Sequence, residues 1–155
     1  IETVREIERI IGYYKSRWLI EVYFRTLKTG CKVEEIQLET LPRLKNCLAF
    51  YKIIAWRVLS VTHLNRECPE ASCEIAFAKD EWEPTWRVLK HSPPPKRPPS
   101  LRTFTQLIAE LGGYNNRPSE PLPGPQTIWT GLRRMLDFAR AWQAFEHAQQ
   151  KLVYK

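Results

Sequence analysis

The chain has 155 residues, with 24 Lys and Arg against 17 Asp and Glu, a net charge of +7. That length holds one domain or two small ones, and 43% hydrophobic residues with six Trp exclude a disordered chain. No apolar run reaches the roughly 18 residues of a transmembrane helix, no signal peptide opens the chain, and the basic balance favours a polyanion as partner without naming one.

Residues 3–28 carry helical periodicity, with Gly12 as the one weak point. Gly30 after Lys28 and Thr29 is a stop signal. Residues 31–40 are polar and read as a connector. Pro42 suits the first turn of a second helix over 42–66. There Leu44, Cys47, Leu48, Tyr51, Ile54, Ala55, Val58 and Val61 recur at helical spacing, while Phe50, Ile53 and Leu59 add apolar surface on other faces. Such a helix is expected to be largely buried, with Cys47 in the core.

The segment from Cys68 to Ala78 is ambiguous. Asp80 and Glu83 then have the spacing of a capping box ahead of Trp86, Val88 and Leu89, with Pro84 tolerated in a first turn. Five prolines in residues 93–99 form an extended spacer. Ser100 caps a helix through Leu111, ended by Gly112-Gly113. A second Pro-rich loop, residues 117–125, leads to a long final helix from about Pro125 to Gln149. Its seam Ile128, Leu132, Met135, Ala139 and Trp142 reads as ordinary core packing or as a dimer contact. No strand-like alternation stands out, so the fold class is mainly α.

The four cysteines have irregular spacing and no CxxC pair, so reduced thiols are expected. His63, Cys68, Cys73 and His91 fit no common zinc spacing. Lys96-Arg97 and Arg133-Arg134 read as solvated basic groups. Trp56, Trp86 and Trp142 lie beside aliphatic residues and are expected in the core.

The first helix carries the chemistry. On an ideal helix Tyr14, Arg17, Glu21, Arg25 and Lys28 share an arc of about 80° over four turns. One carboxylate thus lies in a stripe of three cations and a phenol, on a helix expected to be otherwise buried. Such a stripe makes i,i+4 ion pairs on a solvated face. It also suits a phosphodiester site, where the carboxylate holds a divalent metal and the cations grip phosphate oxygens.

The segment Tyr14-Lys15-Ser16-Arg17-Trp18-Leu19-Ile20-Glu21, continuing to Lys28-Thr29-Gly30, resembles the YREK signature of IS4-family transposases, Tyr-x2-Arg-x3-Glu-x6-Lys, with every gap matching. Leu111-Gly112-Gly113-Tyr114, the Pro-rich turn, Ile128-Trp129-Thr130-Gly131-Leu132 and the helix to Phe145 resemble the dimerisation domain of Tn5-type transposases. Residues 68–99 match least well.

The resemblance implies that Glu21 is the last acid of a DDE site binding two Mg²⁺ ions. It implies that Tyr14, Arg17 and Lys28 contact the transposon-end DNA backbone; Arg25 joins them from helix geometry alone. Residues 1–67 become the last helices of an RNase H-like catalytic domain, and residues 68–155 an all-α dimerisation domain. Transposon-end and target DNA, a second copy of the chain, no membrane and a bacterial cytoplasmic setting follow. Only two Asp exist, Asp80 and Asp137, both in later helical segments. The other catalytic acids are therefore expected upstream of Ile1, and the chain alone is expected to be inactive. The alternative is a non-catalytic helical DNA-binding or oligomerisation module derived from a transposase.

Overall fold

A computed structural model describes residues 3–117, 119 and 122–153, excluding the side chains of Lys15, Ser16, Leu152 and Val153. Five α-helices follow in order: α1 Val4–Arg25, α2 Leu41–Glu67, α3 Lys79–Lys90, α4 Leu101–Leu111 and α5 Pro125–Val153. Among the described residues no strand forms, and Ser72 meets Ser100 in a single isolated bridge. The chain divides into two compact units, Ile1–Leu59 and Ser60–Lys155. Of the Pro-rich loop expected at 117–125, Pro118, Glu120 and Pro121 lie outside the described residues.

In the first unit α1 begins at Thr3, whose side chain accepts the Glu6 N–H. It passes Gly12 without a break. Beyond Arg25 the winding loosens into one π turn, Thr26–Gly30, with the Cys31 N–H bonded to the Thr26 carbonyl at 3.0 Å. A short 3-10 turn, Val33–Glu35, follows Lys32, whose φ of 52° is left-handed. The small core of this unit is Leu27, Cys31 and Ala55, with Tyr23, Val33, Tyr51 and Ile54 packed against it. The Tyr23 hydroxyl donates to the Lys52 carbonyl at 3.1 Å. Burial raises the pKa of the Cys31 thiol and, chiefly, that of the Tyr23 phenol.

Two burial expectations fail here. Helix α1 is not buried around its charged stripe: Ile7, Ile10, Trp18, Ile20 and Phe24 are all exposed. Helix α2 buries Ala55, Val58 and Val61 but exposes Phe50, Ile53 and Trp56, and Cys47 is only half-buried. The reason is packing supply: Ala55 finds core partners in this unit, whereas none of its described residues covers Phe50, Ile53 or Trp56. By length and mean hydropathy α2 is also long and apolar enough to cross a membrane, although polar residues interrupt its apolar runs. Lys52 and Arg57 stand inside it, and a cation at mid-membrane costs about 2.5–3.5 kcal/mol.

The second unit packs α3 and α4 against α5. Its core is Phe77, Trp82, Leu101, Phe104, Leu107, Ile108, Ile128, Leu132 and Met135. Phe77 and Phe104 meet edge to face at 4.7 Å, and the buried Trp82 indole donates to Glu74 at 3.1 Å. Each such fully buried large side chain contributes about 1.5–3 kcal/mol. The buried tryptophan is Trp82, while Trp86 and Trp142 are half-buried and Trp56 is exposed.

The ambiguous stretch after α2 resolves into a 3-10 turn, Cys73–Ile75, tied to the segment before α4. Cys73 N–H bonds the Pro99 carbonyl at 2.9 Å, and Leu101 N–H the Ala71 carbonyl at 2.7 Å. Ser100 caps α4 as expected, accepting the Thr103 N–H at 3.2 Å. At its far end Gly113 takes φ 96°, and Tyr114 N–H bonds the Ala109 carbonyl at 2.9 Å. The cap of α3 differs from expectation. Its N-cap is Ala78, whose N–H is accepted by the Glu81 carboxylate at 3.0 Å. Asp80 and Glu83 therefore lie inside the helix, and the buried Pro84 sits in its second turn, where its missing N–H leaves the Asp80 carbonyl without that bond. Separately, the Asp80 carboxylate accepts from the Gln143 side-chain amide of α5 at 2.8 Å.

Helices α4 and α5 approach closely. A Cβ on Gly131 would lie 2.7 Å from the Ile108 carbonyl carbon and nearer still to its oxygen. Arg134 departs from a purely solvated role, because its guanidinium donates to the Leu111 carbonyl and so closes the end of α4.

Candidate functional site

The stripe expected on α1 survives in part. Tyr14, Arg17, Glu21 and Arg25 lie on one continuous α-helix, so their 3-4-4 spacing places them along one exposed face. The Arg17 guanidinium lies 5.7 Å from the Tyr14 ring centroid and 3.5 Å from the Glu21 carboxylate. Arg25 is exposed in the last helical turn.

Lys28 falls in the π turn, not in α-helix. A π turn closes i→i+5 bonds and advances less per residue, so Lys28 trails the angle that ideal α-helix assigns it. Its ammonium pairs with Glu34 at 2.8 Å. The hydrogen bond to Glu34, and then its charge, raise the Lys28 pKa. Glu34 stands in the polar connector six residues on and belongs to no recognised spacing, so its role is visible only once the chain turns back. Lys32 and Glu35 make a second pair beside it, at 3.3 Å.

Glu21 is half exposed at its side chain. Among the described residues no group of three His, Cys, Asp or Glu side chains forms a metal centre, neither around Glu21 nor among His63, Cys68, Cys73 and His91. Mg²⁺ is held by one or two carboxylates with water and phosphate oxygens. An exposed carboxylate flanked by cations fits as one ligand of such an ion, not as a whole site.

In the second unit Pro84, Arg87, Val88, Trp142 and Phe145 line a shallow apolar groove of about 390 Å³ between α3 and α5. Arg87 lies 5.0 Å from the Trp142 ring, and its buried Nε has no partner. Phe145 remains 53% exposed. The upstream part of the α5 seam is already spent: Ile128, Leu132, Met135 and Ala139 are buried against α3 and α4.

Residues 53–148 match the family of the transposase Tn5 dimerisation domain, which covers more than half of the chain. The chain belongs to this family. No curated protein matches it. The Tn5-type dimerisation domain begins within α2 and takes in α3, α4 and most of α5. It includes the groove and excludes the α1 stripe. The match marks a transposase C-terminal region with a dimerisation role, and the observed all-helical architecture agrees with that.

Proposed function

We propose that the chain is the C-terminal portion of an IS4-family, cut-and-paste DNA transposase. In this reading Glu21 is the last acid of the DDE site, and Tyr14, Arg17, Arg25 and Lys28 hold transposon-end DNA. The observation that carries it is order along one chain: the Tyr14, Arg17, Glu21 and Lys28 spacing precedes a Tn5-type dimerisation domain at residues 53–148. Two Mg²⁺ ions, when bound, would activate the attacking oxygen and stabilise the leaving one. Glu21 would supply one carboxylate, and aspartates outside residues 1–155 the others. Arg17 and Arg25 would fork onto phosphate oxygens, and Lys28 would act there as a point charge. The exposed apolar residues of α1 support a partner surface there, which we assign to the remainder of an RNase H-like domain. A bacterial cytoplasmic setting goes with the reading.

The dimer contact belongs, in the same reading, at the groove beside Trp142 and Phe145, because the rest of the seam is occupied within the unit. The extent of the family match, which omits Glu21, favours one alternative: a dimerisation module without catalytic duty.

One experiment separates the two. In the full transposase, Glu21→Ala should abolish strand cleavage while end binding stays at parent level in a gel-shift assay. Normal strand transfer by this variant would overturn the assignment of Glu21.

A further inference from the structure

Two cations of the α1 stripe do not face solvent alone: Arg17 meets Glu21 at 3.5 Å and Lys28 meets Glu34 at 2.8 Å. The first pair is internal to one α-helix. The second reaches from the π turn at Thr26–Gly30 to the 3-10 turn at Val33–Glu35. Its carboxylate sits where an ammonium would otherwise take a phosphate oxygen. Both partners are exposed, Lys28 at 59% and Glu34 at 66% of their side chains, so the pair is open to exchange with an incoming anion. The short turn that carries Glu34 is closed by its neighbours. The backbone turns left-handed at Lys32, Glu35 N–H bonds the Lys32 carbonyl at 3.0 Å, and Lys32 pairs with Glu35. That leaves Glu34 aimed at Lys28.

The geometry points to Glu34 as a positioning residue that occupies Lys28 in place of a DNA phosphate and must be displaced when DNA binds. This rests on the reading of Lys28 as a phosphate contact. Glu34 thereby sets a threshold: weakly held duplex does not displace it, whereas a duplex anchored by Arg17 and Arg25 does. The partner is the phosphodiester backbone of DNA, and the exchange carries no sequence preference.

The test is a set of binding titrations with a short mixed-sequence DNA duplex, read by fluorescence anisotropy at several NaCl concentrations. Glu34→Gln should bind about two- to fivefold more tightly at low salt, the range for releasing one exposed ion pair. The gain should shrink as salt rises. Glu34→Asp keeps the charge and should bind like the parent. Lys28→Ala should bind more weakly, and adding Glu34→Gln to it should bring no gain. A gain that persists without Lys28 would mean simple repulsion of DNA by Glu34, and would overturn the proposal. So would unchanged or weaker binding by Glu34→Gln when Lys28→Ala does weaken binding. If Lys28→Ala itself binds like the parent, the phosphate-contact reading falls first and this inference with it. Melting temperatures of all variants should match the parent, because an exposed pair adds little to stability.

Discussion

Gly131→Ala tests the close approach of α4 and α5. On local grounds the change should help, since Gly in a helix interior costs about 1 kcal/mol relative to Ala. The tertiary contact reverses that sign. The new Cβ would lie 2.7 Å from the Ile108 carbonyl carbon and 2.9 Å from its Cγ2, with the carbonyl oxygen nearer still. The Cγ2 can rotate away, but the carbonyl is fixed within α4, so α4 and α5 must separate. Overpacking of this kind costs about 1–3 kcal/mol, and rigid backbone puts it toward the upper end. After the propensity gain, the net loss is about 1–2 kcal/mol. At about 4–8 °C per kcal/mol for a domain of this size, the melting temperature of the second unit should fall by roughly 4–16 °C. Thermal unfolding followed by circular dichroism reads this directly. Gly12→Ala is the control: nothing lies within 4 Å of its added Cβ, so it should stabilise α1 by up to about 1 kcal/mol. A Gly131→Ala protein that melts at or above the parent would refute the close approach of α4 and α5.

Other outcomes follow from single contacts. Ser100→Ala removes the side-chain acceptor of the Thr103 N–H and should lower stability in denaturant titration by about 1 kcal/mol. Phe145→Glu places a charge in the groove beside Trp142; sedimentation across concentrations should show a dimer weakened by about tenfold or more, as for an interface anchor, and an unchanged dimer would move the interface elsewhere. Burial pushes the Cys73 thiol up to about 12. Cys73 should therefore resist alkylation near pH 8 while the half-buried Cys47 and Cys68 react, as peptide mapping would show. For the same thiol the raised value means that its contribution to stability is present below its ordinary value of 9.0 and is lost as pH rises toward about 12.

Much of the helical framework is determined by the sequence, because its signals are local. Ser100 and the Gly112-Gly113 pair bound α4 through hydrogen bonds within a few residues of each other. Pro125 opens α5, and its apolar seam identifies the buried residues Ile128, Leu132, Met135 and Ala139. The spacing of Tyr14, Arg17, Glu21 and Arg25 suffices to align them, since one unbroken α-helix has a constant pitch.

Tertiary structure decided what a helical period leaves open, namely which apolar face finds a partner and which charge finds a counter-charge. Phe50, Ile53 and Trp56 have the composition of a core face, yet none of the described residues of their unit covers them. No local signal distinguishes Trp82 among the six tryptophans, and burial selects it because α3 turns it inward, where Glu74 satisfies its N–H. The π turn moves Lys28 off the ideal stripe, and the fold-back at Lys32 brings Glu34 to it. Such pairing leaves the net charge of +7 unchanged but fixes which cations are already engaged. A charge count sums over residues, whereas a DNA-binding surface depends on which of those cations already hold an acid.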